Sequence, residues 1–198
     1  MVHADKRMIK GEQTRTKILY AAIEVIAENG LKNVSTAKLA TVAGVSKSTI
    51  FHHFQSSDEV MKSTLDFVYH ELLKDMKTEQ YRDIKDLLDG IGYSLFHVPD
   101  EELSFFKVFL SFFHEGVFDS TYRDVFISYV NQMNDFFRMQ LTKLAPESTD
   151  QDRIDRVSKL LLPIIDGVGL HYLLDQDRKK YQQLWNLQAK GIMDMLYG

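Results

Sequence analysis

Residues 35–60, Ser-Thr-Ala-Lys-Leu-Ala-Thr-Val-Ala-Gly-Val-Ser-Lys-Ser-Thr-Ile-Phe-His-His-Phe-Gln-Ser-Ser-Asp-Glu-Val, leave the backbone few choices. Ser35 is placed to cap a helix running to about Ala43, with Leu39, Ala40 and Ala43 on one face. Gly44 then supplies the left-handed residue that ends it. Val45 and Ser46 complete the turn, and Ser46 caps a second helix expected to carry Ile50, Phe51 and Phe54 inward. Ala40 is small enough for two helices to cross at a steep angle, with Leu39, Val45 and Ile50 closing a miniature core.

The outward residues of the second helix are Lys47, Ser48, Thr49, His52 and His53, with no acid among them. A short helix rich in hydroxyls and carrying a lysine suits insertion into a DNA major groove lined by phosphates. A preceding amphipathic helix, about Thr14 to Glu28, places Ile18, Ala21, Ala22, Val25 and Ile26 at three-and-four spacing and ends in Asn29-Gly30. The three helices make one small head.

That order resembles the TetR family of bacterial repressors: Glu-Asn-Gly at 28–30, Ser-Thr-Ala-Lys-Leu-Ala at 35–40, Ala-Gly-Val-Ser-Lys-Ser-Thr-Ile-Phe-His-His-Phe at 43–54 and Asp-Glu-Val at 58–60. The resemblance is specific over about residues 12 to 62, and Asp166-Gly167-Val168-Gly169-Leu170 is similar to the eighth-helix pattern of many members. It implies a DNA-binding domain at 1–56, a ligand-binding and dimerisation domain at 57–198, and a homodimer on a palindromic double-stranded DNA operator. Two residues depart from the family: Phe51 stands where tyrosine is usual and Ser57 where lysine is usual, so the basic residues Lys6, Arg7 and Lys10 gain weight as backbone anchors. Lys47, Ser48, Thr49 and His52 are the candidates for the groove, with Thr36, Lys38 and His53 on the DNA backbone and Ser46 at the helix start.

The charge distribution agrees. Residues 1–56 hold eight Lys/Arg (6, 7, 10, 15, 17, 32, 38, 47) against four Asp/Glu (5, 12, 24, 28), a net +4 inside a chain of net −4. A basic head on an acidic body orients a protein toward nucleic acid. A helix-turn-helix adaptor for a protein partner, the other binding reading, predicts a polar rather than a basic head; a transcriptional activator with the same fold remains open.

Beyond the head, Ser56-Ser57-Asp58-Glu59 forms a capping box opening a helix to about Lys77. Helical periods follow at Ile84–Phe96, Glu101–His114, Ser120–Leu144, Asp150–Leu174 and Lys179–Tyr197, with no alternating segment, so an all-α fold of nine helices is expected. Phe109, Phe113, Tyr129, Met133 and Phe136, with Tyr172, are candidate lining for a small apolar or aromatic effector, although such residues also serve as plain core. The family resemblance implies such a cavity, among the fourth to eighth helices. Leu161, Ile164 and Val168 of the eighth helix, with Trp185 and Ile192 of the ninth, form apolar stripes that the resemblance implies at a four-helix dimer interface.

Other classes find little support. There is no phosphate-binding glycine loop, nucleophile elbow or catalytic carboxylate pair, so no enzyme and no cofactor are expected. His97 with Glu101 is the one two-ligand pair at helical spacing, too little for a metal site. Zero cysteines exclude disulfides and fit a cytoplasmic protein, and no uninterrupted apolar run approaches the roughly 20 residues that span a bilayer.

Overall fold

The computed structural model describes residues 2–78, 80–97 and 103–198, with the side chains of 2–8, 73 and 75–78 outside the description. Among these residues the fold is all-α, with nine α-helices and no strand: α1 (Val2–Asn29), α2 (Thr36–Ala43), α3 (Lys47–His53), α4 (Ser57–Thr78), α5 (Ile84–Phe96), α6 (Leu103–Phe118), α7 (Ser120–Leu144), α8 (Gln151–Asp175) and α9 (Arg178–Tyr197). A 3-10 turn, Leu31–Asn33, follows α1. The first helix starts at Val2, well before the expected Thr14, because residues 2–13 hold no proline and many good helix formers.

The chain divides into two compact units, Met1–Lys74 with Asp100–Val125, and Asp75–Pro99 with Phe126–Gly198. The first unit therefore contains the three-helix head together with most of α4, and α6. Ile18, Ala22, Val25 and Ile26 of α1 are buried, as are Leu39, Ala40 and Ala43 of α2, and Ile50 and Phe54 at α3. Arg15 ties this core to α4: its guanidinium lies 4.8 Å from the centre of the Phe54 ring and donates to Ser63 Oγ at 3.0 Å. Tyr20 meets Phe67 of α4 and Phe105 of α6 edge-on, at 5.2 and 6.2 Å.

In the second unit α5 is capped by Asp83, whose side chain accepts from the Asp86 N–H at 2.8 Å. Its buried residues Leu87, Leu88 and Ile91 face α9, which contributes Trp185, Ile192 and Leu196 to the interior. Trp185 Nε1 donates to the Leu88 carbonyl at 2.8 Å. Tyr172 of α8 donates from its hydroxyl to the Phe96 carbonyl at 3.4 Å.

Although no uninterrupted apolar run was expected to suffice, α8 is long and apolar enough on average to cross a membrane, with a mean hydropathy of 1.4 over its richest stretch. The average hides the polar residues that break the run, Lys159 and Asp166 among them. In this fold α8 packs on α5 and α9, and it is continuous through Pro163.

Candidate nucleic-acid interface

The helix-turn-helix is held by local chemistry at three positions. Ser35 Oγ accepts from the Lys38 N–H at 3.3 Å and opens α2. Gly44 closes α2 in the left-handed region (φ 58°, ψ 40°), where its missing Cβ removes the steric penalty. The N–H of Val45 then bonds the Ala40 carbonyl at 3.0 Å and that of Gly44 the Thr41 carbonyl at 3.1 Å, satisfying the helix end. Ser46 Oγ accepts from the Thr49 N–H at 3.0 Å and opens α3, and the hydroxyls of Ser48 and Thr49 lie 2.7 and 2.8 Å from it.

The outward face of α3 is thereby fixed. Lys47, Ser48 and His52 are exposed, while Thr49 and His53 are half-buried. His53 packs beside His52, with ring centres 5.3 Å apart, and also lies near Gly11 of α1. Phe51 departs from expectation: it is 50% exposed rather than inward. Ile50 and Phe54, four residues apart, already occupy the inward face of so short a helix, and Phe51 falls about 100° away from Ile50.

Two other sequence candidates are engaged inside the head. Lys38 donates from Nζ to Asn29 Oδ1 at 2.8 Å, so its ammonium is tied to the end of α1. Thr36 Oγ1 sits 3.2 Å from Ser57 Oγ, joining the starts of α2 and α4. Ser56 and Glu59 form the expected cap of α4: Ser56 Oγ accepts from the Glu59 N–H at 3.1 Å, and Glu59 Oε2 accepts from the Gln55 N–H. Lys10 is exposed on α1, and the side chains of Lys6 and Arg7 lie outside the described residues.

Lys17 was not singled out from the sequence. Its Nζ lies 3.5 Å from the point a Cβ on Gly44 would occupy, which brings a cation from α1 to the turn of the motif. No local pattern marks it, because the approach is made between residues 27 positions apart.

The remaining candidates separate by unit. Phe109 and Phe113 belong to the first, where Phe109 meets Tyr69 edge-on at 5.7 Å and stacks on Phe113 at 6.4 Å; Phe113 is half exposed. Tyr129, Met133, Phe136 and Tyr172 are buried residues of the second. Burial, and next the charge of nearby Asp166, push the Tyr129 phenol up, so it stays protonated. Burial alone pushes the Asp166 carboxyl up to about 6.

Three of the five residues expected at a dimer interface are corrected. Leu161, Trp185 and Ile192 are buried in the interior of their own chain, so they present no surface to a second copy. Ile164 and Val168 instead line an open groove of about 440 Å³ with Gly167, His171, Tyr181 and Leu184. Leu160, Leu170, Leu174, Leu184, Leu187 and Met195 of α8 and α9 are also exposed apolar side chains, Leu174 at 77% and Leu187 at 65%. Both helices are apolar on more than one side, and only the packed fold separates the inward stripe from the outward one.

Glu101, half of the possible metal pair, lies outside the described residues. His97 stacks on Tyr93 at 4.2 Å. Among the described residues no group of three or more His, Cys, Asp or Glu is arranged to hold a metal ion.

Residues 18–64 match the family model described as bacterial regulatory proteins, tetR family. The chain belongs to the TetR family of transcriptional regulators. It is 25% identical over 179 residues to the HTH-type transcriptional regulator PksA of Bacillus subtilis, covering 87% of this chain and 84% of that one. Among solved structures, a transcriptional regulator from Rhodococcus sp. Rha1 superposes with a TM-score of 0.79 at 19% identity, over 92% of this chain and 97% of its own. A TetR transcription regulator from Haloarcula marismortui superposes at 0.77 and 15% identity, over 93% and 98%. At those identities the two structures speak for the TetR fold, and the family match supplies the DNA-binding, helix-turn-helix assignment.

Proposed function

We propose that this TetR-family regulator is a repressor that binds a palindromic operator as a homodimer in the cytoplasm and is released by a small effector with apolar or aromatic surface. The observation that carries the DNA half is the outward face of α3, where Lys47, Ser48 and His52 stand exposed while Ile50 and Phe54 anchor the helix from behind. Residues 1–56 act as the reading head, with Thr49, His53, Thr36 and Lys38 beside the groove residues, and 57–198 as the body. Lys17 adds a cation at the turn of the motif.

The dimer half is supported by the exposed apolar side chains of α8 and α9. Apolar side chains exposed in number on two packed helices mark an association site, and a two-fold pair matches a two-fold operator. The effector half is supported by the buried aromatic row of α7. A ligand favouring the conformation that does not bind DNA must weaken operator binding by the factor through which DNA weakens the ligand.

The test is a gel-shift titration with the DNA upstream of the protein's own gene. The full chain shifts that fragment in the presence of competitor DNA, and Lys47→Ala reduces the affinity about tenfold while its circular dichroism is unchanged. A chain that shifts neither this fragment nor a randomised operator library overturns the reading.

A further inference from the structure

The exposed face of α3 carries one side chain whose chemistry does not match its neighbours. Phe51 is 50% exposed, on a helix whose other exposed side chains are Lys47, Ser48 and His52. It falls four residues after Lys47 and three after Ser48, so the three share one face, with the ring about one turn further along. Ile50 and Phe54, both buried, already fill the inward side of the helix. Among the described residues no other ring and no cation stacks on Phe51. A single exposed apolar side chain is ordinary on a protein surface. Here its position gives it meaning, because it stands on the second helix of a helix-turn-helix.

That helix lies in the major groove with its N-terminal residues on base edges. Seven residues at about 1.5 Å each make α3 about 10 Å long, less than the roughly 12 Å width of the groove. A side chain at its fifth position, on the face of Lys47 and Ser48, therefore still falls within the groove. The base edges there present hydrogen-bond donors and acceptors, to which a phenyl ring offers nothing, and one apolar feature, the C5-methyl of thymine. The flanking phosphates suit the ring no better, since without a hydroxyl Phe51 has no donor for their oxygens.

We propose that Phe51 packs on the C5-methyl of a thymine in each half-site and so fixes a T·A pair at that position of the operator. The inference rests on α3 being the reading helix, as in the function proposed above, and adds to it one letter of the DNA word.

The experiment uses the full chain, Phe51→Ala and synthetic unmethylated DNA, in which every C5-methyl belongs to thymine. The wild type first selects its preferred word from a randomised duplex library. Each thymine of that word is then replaced by deoxyuridine, which pairs identically and lacks only the methyl, and binding is followed by fluorescence anisotropy. The expected result is that replacement at one symmetric pair of positions weakens wild-type binding about fourfold per half-site. Phe51→Ala should bind the thymine and deoxyuridine versions alike, at the affinity the wild type has for the deoxyuridine one, and melt within about 5 °C of the wild type. A larger fall in melting temperature overturns the proposal, since the ring would then serve the core. So does a deoxyuridine penalty that persists in Phe51→Ala, which assigns the methyl to another side chain, or a folded Phe51→Ala that binds no DNA, which assigns the ring more than a methyl contact. A wild type that selects no word overturns the proposed function together with this inference, whereas a selected word without the penalty removes this inference alone.

Discussion

Gly92 lies directly beneath the indole of Trp185: a Cβ built on this glycine would stand 2.5 Å from the indole Nε1, closer than side chains pack. The same indole donates to the carbonyl of Leu88, one turn earlier on α5. The glycine and the hydrogen bond together seat α9 on α5. Gly92→Ala is therefore expected to destabilise the chain by about 1–3 kcal/mol, despite the better helix propensity of alanine, because the buried ring has nowhere to move. Trp185→Ala is expected to cost about 3–5 kcal/mol. Urea unfolding followed by far-ultraviolet circular dichroism checks both, and a Gly92→Ala protein as stable as the wild type would show that α9 can shift away.

Operator binding by a basic head should weaken steeply with salt. If roughly six to nine phosphates are neutralised per dimer, the log-log slope is about −5 to −8. Fluorescence anisotropy on labelled operator between low and physiological salt gives the slope directly, and a flat dependence contradicts the phosphate contacts. Lys17→Ala should reduce the slope by about two, because one phosphate contact is removed from each of the two subunits.

Ser46 serves the fold. Replacing it by alanine removes the acceptor of the Thr49 N–H and is expected to cost on the order of 1 kcal/mol. Lys47→Ala, on an exposed side chain, should change stability by no more than about 0.5 kcal/mol. Thermal unfolding of the two variants side by side separates capping from recognition.

These positions also show what could be read from the chain before its structure. Ser35, Gly44 and Ser46 were legible because cap and turn geometry depend on residue type and a few neighbours. The orientation of Phe51 was not, since an aromatic on a short helix turns in or out according to what has already filled the inward face. Nor could Leu161, Trp185 and Ile192 be told from Leu174 and Leu187. That choice depends on packing between segments up to 97 residues apart, as for Trp185 and Leu88. Gly92 carried no signal because its partner, not its own backbone, demands the glycine.

Glutamate substitutions should sort the two faces of α8 and α9. Leu174→Glu and Leu187→Glu, at exposed positions, are expected to leave helical content unchanged and yield monomers with greatly weakened operator binding. Ile192→Glu, at a fully buried position, should instead unfold the chain. Light scattering at micromolar concentration distinguishes the outcomes, and a wild type that is already monomeric contradicts the proposed interface.

The pH dependence of stability should carry the signature of Asp166. Its folded pKa, about 6, lies above the usual aspartate value, so between about pH 4 and 6 the native state binds more protons than the unfolded state. This group therefore favours folding at low pH, and its contribution declines as pH rises through about 6, levelling off above it. The wild type should lose on the order of 1–3 kcal/mol across that window relative to Asp166→Asn, in which the dependence is absent. Parallel pH dependences in the two proteins would count against the burial of an unpaired carboxyl.

The division of labour within α3 bears on how such a protein changes its target. Ser46, Ile50 and Phe54 hold the helix in place, whereas Lys47 and His52 point outward and pin nothing to the core. Substitutions at those outward positions are nearly neutral for folding. With Lys47 and His52 in the proposed reading role, a lineage can rewrite its DNA word in single steps, each passing through a folded intermediate, and an engineer can randomise the same positions without first building a stabilised scaffold.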